Sequence, residues 1–377
     1  MSRKDWDLML IYHKTRPLSD RRTLRACARW SSFVFPRPLA QVRKAIPTGA
    51  NIGDDNLIMM QNGATAELGI AAEKNYRISG HESFPCRYTW LPKAVRDLSA
   101  DPMLFSDDER AMVALGVGKN MVRSIRFWAQ AAGVAAPEKK GSGYSLTDFG
   151  RVLLGDRGLD PFLEDSSTLW LLHWNLSTDR ENPLLAWDYL LNRWHEPELA
   201  RSTALKVLHK EAARVDEGIS MVTLEQHFDT FLHTYVPTRG RKGQVQEDNL
   251  DCPLVELDFL LKVGERGVGK REAIYSFRRE EKPEISAELF AYCLDDFWRE
   301  SHESTLPLRE VAHGHGSPGQ VFKLPEDDVR ARLDLLSRQP DGFFAYTESA
   351  QFQQVRRRKD SNKATLLKAI YKVGKDA

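Results

Sequence analysis

The stretch ALGVGKNMVRSIRFWAQAAGV, residues 114–134, is the part of the sequence from which the rest of the fold is predicted. From about residue 120 its apolar side chains recur at the spacing of one helix face, namely Met121, Ile125, Trp128 and Ala132. Its polar side chains repeat that spacing on another face, namely Lys119, Arg123, Arg126 and Gln130. The pattern predicts a helix with one face in a core and a basic face available to an anion.

A winged helix-turn-helix pattern surrounds this helix. Residues 107–115 predict a shorter helix, and Gly116 and Gly118 supply the turn between the two. Residues 139–145 are basic and glycine-rich, as a wing would be, and a further helix is expected from Leu146. An ordinary amphipathic helix pair with solvated lysines and arginines would show the same basic stripe, but the added wing favours contact with DNA or RNA.

Several basic side chains are predicted to contact phosphate groups. Arg239 and Arg241 lie in a glycine-containing loop that either binds phosphate or serves as a solvated linker. The predicted DNA-binding residues are Arg87, Lys119, Asn120, Arg123, Arg126, Lys139, Lys140, Arg239 and Arg241.

Length and composition indicate a globular protein of two or three domains. The chain has 377 residues, of which 42% are hydrophobic and 28% charged, as in soluble proteins. It contains no run of about 18 apolar residues, which a membrane-spanning helix requires. Its four cysteines are far apart and form no CxxC pair, so we expect reduced thiols in a cytoplasm.

The first 58 residues differ in character from the rest. Residues 1–50 contain eleven Lys or Arg and three Asp, although the whole chain has a net charge of only +1. They lack a sustained apolar period, and Asp5 and Asp7 are unusual in a mitochondrial targeting peptide. We expect residues 1–58 to be an upstream extension before a true start at Met59 or Met60. The alternative is a disordered basic arm.

Two blocks of titratable residues are candidate catalytic sites. His81 and Glu82 precede a predicted helix, where such a pair is commonly only a polar helix N-terminus. Residues 248–258 carry four carboxylates, which are the hard oxygen ligands that Mg²⁺ prefers. The predicted catalytic residues are His81, Glu82, Asp251 and Glu256. Glu82 and Asp251 are the predicted ligands of Mg²⁺ or Mn²⁺.

A phosphate-binding loop is excluded at residues 264–270, GERGVGK. Arg271 stands where that motif needs Ser or Thr, and a strand pattern follows where the motif needs a helix N-terminus. We interpret this segment as a turn.

The patterns together predict a mainly α protein with small β-wings. Residues 76–158 are expected to form a winged-helix N-terminal domain that binds DNA, and residues 159–245 a helical, Trp-rich middle domain. Residues 246–355 are expected to form an α/β C-terminal unit that resembles a second winged helix. Residues 356–377 are expected to be a basic tail that frays.

Three local predictions concern the middle and C-terminal regions. His173 lies between Leu and Trp residues and is expected to be a hydrogen-bonded core histidine rather than a ligand. Thr223 and Gln226 predict a capping box. Residues 321–324, VFKL, predict a strand that precedes a helix begun by Pro325.

Six blocks of the sequence resemble a known bacterial family in their order and wording. They are GHESFPCRYTWLPKA at 80–94, LGVGKNMVRSIRFW at 115–128, LTDFG at 146–150, DPFLEDSSTLWLLHW at 160–174, DNLDCPLVEL at 248–257 and the TLPL…GSPGQVFKL region that ends at 324. Together they cover about residues 76–355 and resemble the proteins named for domain of unknown function 4007.

This resemblance implies a function. Members of the family resemble the B component of single-strand DNA phosphorothioation systems, which is regarded as a DNA nickase working with a cysteine desulfurase, an ATPase and an ATP-pyrophosphatase-like sulfur-transfer protein. It implies a DNA-binding, nicking component of a sulfur-modification and phage-defence system. The alternatives are a non-catalytic DNA-binding adaptor that recruits the sulfur-transfer proteins, and a winged-helix transcriptional regulator.

We predict that a chain starting at Met59 keeps the thermal midpoint of the full-length protein, because residues 1–58 show no apolar face to bury. Differential scanning calorimetry of the two chains measures this. A midpoint lowered by several degrees would contradict the prediction.

Overall fold

The computed structural model describes residues 75–237, 252–267, 271–299, 301–340 and 342–372. These residues belong to one compact unit, Ala71–Ala377. The predicted extension, Arg239, Arg241 and Asp251 lie outside the described residues. Within the described ranges, no helix combines the length and apolar character needed to cross a bilayer.

Helices make up most of the regular structure. In chain order they are α1 (Trp90–Ala100), α2 (Asp108–Leu115), α3 (Lys119–Ala131), α4 (Asp148–Leu154), α5 (Ser166–Thr178), α6 (Leu185–Asn192), α7 (Arg201–Ala212), α8 (Met221–Tyr235), α9 (Ala287–Trp298), α10 (Leu308–His313), α11 (Pro318–Val321), α12 (Glu326–Arg338) and α13 (Lys363–Ile370). Two short 3₁₀ helices span Leu104–Ser106 and Pro253–Leu257.

The strands form small antiparallel sheets. They are β1 (Ala135–Pro137), β2 (Tyr144–Leu146), β3 (Leu199–Ala200), β4 (Leu260–Arg266), β5 (Glu272–Phe277), β6 (Thr305–Pro307), β7 (Phe344–Glu348) and β8 (Gln353–Arg357). β1 pairs with β2, and the two three-stranded sheets have the orders β3-β5-β4 and β6-β8-β7. The prediction of a mainly α protein with small β elements is confirmed.

Helices α2 and α3 form where the glycine turn was predicted. Asp107 caps α2 by accepting hydrogen bonds from the backbone N–H groups of Glu109 and Arg110, and Gly116 ends that helix at φ 64°. Ile125 and Trp128 of α3 are buried. The buried face is wider than the predicted stripe, since Val122, Phe127 and Ala129 are also buried.

The β1–β2 hairpin is fixed from two sides. Its register pairs Ala135 with Leu146, and the backbone N–H of Tyr144 donates to the Pro102 carbonyl at 2.8 Å. Gly150, the last residue of the LTDFG block, lies against Val134, where an added Cβ would come within 2.2 Å of the carbonyl oxygen. Only glycine therefore allows α4 to pack this closely behind the hairpin.

An aromatic core connects the α1–α4 region to the middle helices. The rings of Trp128 in α3 and Trp187 in α6 are 6.0 Å apart, and those of Trp187 and Phe231 are 5.1 Å apart, both edge to face. The buried apolar cluster runs on through Trp298 of α9. The core is thus continuous across both predicted domain boundaries, and the division into three domains stays a prediction.

A directed chain of hydrogen bonds crosses this core. Trp187 Nε1 donates to the Tyr235 hydroxyl at 3.1 Å, and that hydroxyl lies 2.9 Å from Nδ1 of His173. Nε2 of His173 lies 3.1 Å from the Val321 carbonyl. Because Tyr235 donates to Nδ1 and Nε2–H donates to the carbonyl, a neutral imidazole satisfies every partner. The predicted core role of His173 is confirmed.

Two predictions in the C-terminal region are wrong. Residues 321–324 form no strand: α11 ends at Val321, and Lys323 adopts a φ of 54°. Their four side chains are all buried, and a short buried run does not distinguish a strand from a helical turn. The fraying expected for residues 356–377 does not occur up to residue 372, because α13 buries Leu366, Leu367 and Ile370.

The N-terminus of α8 differs from the prediction, whereas that of α12 agrees with it. Ser220, rather than Thr223, caps α8 by accepting a hydrogen bond from the Thr223 backbone N–H. The helix begun by Pro325 forms as predicted, since Pro325 directly precedes the first residue of α12.

We predict that His173→Gln flattens the acid dependence of stability. Burial lowers the pKa of His173 from 6.5 to about 3. Below pH 6.5 the unfolded chain therefore binds a proton that the folded chain refuses until about pH 3, and the free energy of unfolding falls across that window. Urea unfolding at pH 7, 6, 5 and 4 should show a smaller loss in the variant.

His195→Gln serves as the control, because His195 is exposed. An acid dependence that is the same in His173→Gln and wild type would contradict the assignment.

Candidate nucleic-acid interface

The outward side of α3 carries the predicted basic stripe. Lys119 and Asn120 are exposed at the helix start, and Arg123 and Arg126 are partly exposed one and two turns later. The side chains of Lys119 and Arg123 are 56% and 39% exposed. The structure thus brings these four residues together on one surface.

One carboxylate moderates this charge. Asp108 of α2 accepts a hydrogen bond from Arg123 Nε at 3.2 Å and lies 3.8 Å from Lys119 Nζ. Arg126 donates to the Phe105 carbonyl at 3.2 Å, which leaves its charge unpaired by that contact. Two cations therefore share one carboxylate, Arg126 adds a third positive charge, and the surface keeps a positive balance that attracts phosphate.

The two predicted wing residues are exposed, whereas Arg87 has a structural contact. Lys139 and Lys140 lie in the turn between β1 and β2. The Arg87 guanidinium lies 5.4 Å from the centre of the Trp90 ring, as in a cation–π pair. Arg87 is half-buried there, so the structure gives it a role in packing at the start of α1.

His81 lies in the interior and does not match the predicted catalytic role. It is 3% exposed, its Nε2 is 3.2 Å from His227 Nδ1, and its Nδ1 is 3.2 Å from the Thr230 hydroxyl. Burial lowers its pKa to about 4. Because both ring nitrogens have protein partners, neither is available to a phosphate or a metal ion.

Glu82 lies in the same turn as His81, but its side chain is directed toward the surface. Gly80, Glu82 and Ser83 have φ values of 101°, 50° and 61°, a region that residues other than glycine rarely adopt. A Cβ on Gly80 would lie 3.1 Å from the Phe127 ring. The turn directs His81 inward and leaves Glu82 half-exposed. Backbone strain of this kind costs about 1–3 kcal/mol per residue and is common at functional sites.

The two titratable blocks meet in the structure. The Tyr88 hydroxyl donates a hydrogen bond to the Glu256 carboxylate, which links the segment after His81 to the 3₁₀ helix Pro253–Leu257. Burial and the bond to Glu256 raise the pKa of Tyr88. Beneath this contact, burial raises the pKa of the Cys86 thiol, and nearby Cys252 adds to the effect. Segments 168 residues apart are therefore neighbours.

The carboxylates of the described chain only partly fit a metal ion. Among the described residues, no group of three or more His, Cys, Asp or Glu side chains has a metal-binding arrangement. Mg²⁺ is commonly held by one or two carboxylates, with water and phosphate oxygens completing the shell. Glu256 is held by Tyr88, and a role for Glu82 or Glu256 as a metal ligand stays a prediction.

The family model described as "Protein of unknown function (DUF4007)" matches residues 78–371. The chain belongs to the DUF4007 family.

Solved structures show the same fold as this DUF4007 chain. A magnesium ion-bound crystal structure of SspB has 26% identity and a TM-score of 0.69, covering 80% of this chain and 89% of that one. A second SspB crystal structure has 25% identity and a TM-score of 0.69, covering 81% of this chain and 90% of that one. No curated protein sequence matches the chain.

Sequence reasoning missed two side chains at the surface of this DUF4007 chain. Tyr88 lies before α1 and donates a hydrogen bond to Glu256, a contact that no local pattern predicts. Phe162 lies in the loop before α5 and is 69% exposed. An aromatic residue between Asp160 and Glu164 in a proline-containing turn was the signal that could have singled it out.

Proposed function

We propose that this protein is the DNA-binding component of a bacterial DNA phosphorothioation system that serves phage defence in the cytoplasm. Its likeness to SspB, the B component of such systems, supports this assignment. We further propose that it works with a cysteine desulfurase, an ATPase and an ATP-pyrophosphatase-like sulfur-transfer protein. The single observation that carries the DNA-binding role is the basic outer face of α3 beside the lysines of the β1–β2 turn.

A winged-helix interpretation of residues 90–146 explains this placement. Helices α1, α2 and α3 precede the β1–β2 hairpin, and Tyr144 pairs with Pro102, where a winged helix has its first strand. In such folds the second helix of the helix-turn-helix enters the major groove and the wing contacts the backbone. In this proposal α3 is the recognition helix, and Lys139 and Lys140 contact phosphate groups.

The C-terminal region has a similar element order with a different charge. The succession α9, β6, α10, α11, α12, β7, β8, with sheet order β6-β8-β7, resembles that of a winged helix with the short α11 inserted before the second helix of the pair. Its α12 neutralises its own outer face, since Arg330 pairs with Asp327 and Arg338 pairs with Asp334. We therefore assign DNA binding to α3 and not to α12.

We predict that Arg123→Ala with Arg126→Ala weakens DNA binding without unfolding the protein. Each lost phosphate contact should reduce the slope of log affinity against log salt by about one unit. Fluorescence anisotropy with a duplex at several salt concentrations measures both quantities. Asp108→Asn should act in the opposite direction, because it removes the carboxylate that Arg123 and Lys119 share.

Arg214→Ala is the matched control, because Arg214 is an exposed arginine of the α7 region that pairs with Glu211. A folded double variant with the affinity and salt slope of wild type would remove the basis for assigning DNA binding to α3.

We also propose that the protein nicks one DNA strand with Mg²⁺ or Mn²⁺. Glu82 and Asp251 would hold the ion, and Asp251 lies outside the described residues. The chemistry that the ion supplies when bound is charge neutralisation at the phosphate and acidification of water. The protein's own contribution is to hold DNA through α3 and to fix Glu256 through the Tyr88 hydroxyl.

We predict that Glu82→Gln and Asp251→Asn each abolish nicking while DNA affinity stays within a few fold, because the binding charges lie on α3. Supercoiled plasmid is incubated with Mg²⁺ or Mn²⁺, and conversion to the open circular form is followed on gels, with EDTA as the stopping condition. Glu217→Gln, at an exposed position, is the control.

Nicking that survives both substitutions would place the active site elsewhere. Metal-dependent nicking that is absent even with the partner proteins would favour the second candidate, a DNA-binding adaptor. The lack of a three-ligand cluster in the described residues is the observation that supports this alternative.

A further inference from the structure

Phe162 is the large aromatic side chain that the α4–α5 loop presents to solvent. It is 69% exposed. Its neighbour Leu163 is 2% exposed and belongs to the core. One residue of the loop is therefore anchored inside while the adjacent ring is held outside.

A buried carboxylate organises the backbone of this loop. Asp160 is 5% exposed and accepts hydrogen bonds from the backbone N–H groups of Glu164 at 2.9 Å and Asp165 at 3.0 Å. Leu163 has a φ of 60°, a strained conformation for a branched side chain. A buried carboxylate and a strained backbone thus occur together in the turn that holds Phe162 outward.

Phe162 lies at the edge of a cleft that the function described so far does not use. The cleft has a volume of about 490 Å³, within the range of about 300–1,000 Å³ typical of small-molecule sites. Its lining includes Tyr88, Pro92, Lys93, Arg96, Asp156 and Phe162. The lining thus combines aromatic and proline side chains with two cations and one carboxylate, and the exposed Arg96 also forms an ion pair with Asp97 at 2.6 Å.

This cleft is connected to the proposed DNA-reading helix. Lys93 Nζ donates to the carbonyl of Leu115, the last residue of α2, at 3.2 Å. The turn through Gly116 and Gly118 follows, and then α3 begins at Lys119. On its other side, Tyr88 reaches Glu256 through its hydroxyl. Cleft residues thus contact both the end of α2, which leads into the basic helix, and Glu256, one of the proposed catalytic carboxylates.

We propose that this cleft binds an unpaired nucleotide of the DNA, with its base stacked on Phe162 and its phosphate near Lys93 and Arg96. This proposal rests on the proposed DNA-binding function and specifies its substrate as DNA with a locally unpaired strand. Stacking on aromatic side chains next to cations is how proteins commonly hold single-stranded nucleic acid. An enzyme that acts on one strand gains selectivity from a base that has left the stack.

The test compares three fluorescein-labelled DNAs: a matched duplex, the same duplex with an unpaired bulge of three nucleotides, and the single strand. We expect wild type to bind the bulged duplex more tightly than the matched one. Phe162→Ala should weaken bulged-duplex and single-strand binding by roughly tenfold, within the range for one stacked base. Its affinity for the matched duplex should stay unchanged, because α3 provides that contact.

Two further variants separate stacking from burial. Phe162→Trp should retain the preference, whereas Phe162→Leu should lose it, because leucine is apolar but offers no ring. Val222→Ala is the control, since Val222 of α8 is an exposed apolar side chain outside the cleft. In the bulge, 2-aminopurine fluorescence reports directly on the stacked base in each complex.

The outcomes distinguish this proposal from the function on which it rests. Equal affinity of wild type for matched and bulged duplexes overturns the nucleotide site and leaves the α3 interface intact. Loss of matched-duplex binding in the α3 double variant, with Phe162-dependent single-strand binding kept, supports both. A Phe162→Ala protein with unchanged DNA binding but an altered sedimentation coefficient overturns the proposal, because the ring would then belong to a protein interface.

Discussion

The hydrogen-bonded chain from Trp187 through Tyr235 and His173 to Val321 is the constraint on which the packing of this protein depends. Four elements, α6, α8, α5 and α11, each contribute one group to it. Every group is buried, so the loss of one partner would leave a desolvated polar atom at a cost of about 1–3 kcal/mol. Hydrogen bonds are directional, whereas apolar contacts are not. These hydrogen bonds therefore fix the orientation of the middle helices relative to the C-terminal region.

A second set of buried polar contacts, around His81 and His227, also fixes how neighbouring segments are oriented. His227 accepts a hydrogen bond from the Ala186 backbone N–H and lies 3.2 Å from His81, which is held in turn by Thr230. Because His81 is anchored inside, the strained turn around it has one orientation, and Glu82 stays at the surface. Asp160 holds Phe162 outward in the same way. In both places the interior determines what the surface offers.

The charge distribution agrees with a local rather than a global attraction for DNA. The whole chain has a net charge of only +1. Its net charge therefore provides little long-range attraction for a polyanion. The proposed attraction comes instead from α3, where Lys119 and Arg123 share Asp108 and Arg126 adds a third cation, and from two exposed lysines of the β1–β2 turn. The self-paired arginines of α12 show that the same arrangement of helices and strands does not by itself create a basic surface.

The sequence by itself determined the elements whose cause is local. The Met121 to Ala132 spacing, the glycines before α3 and the LTDFG block predicted the helix, its turn and its neighbour, because periodicity and φ preferences act within a few residues. Only the tertiary structure decided which side chains meet across long separations. Tyr88 and Glu256 are neighbours, His81 is buried against His227, and residues 321–324 form a turn although their pattern suited a strand. Burial and long-range pairing arise from packing. A local sequence pattern shows that a segment is apolar, but it does not show which distant segment will pack against it.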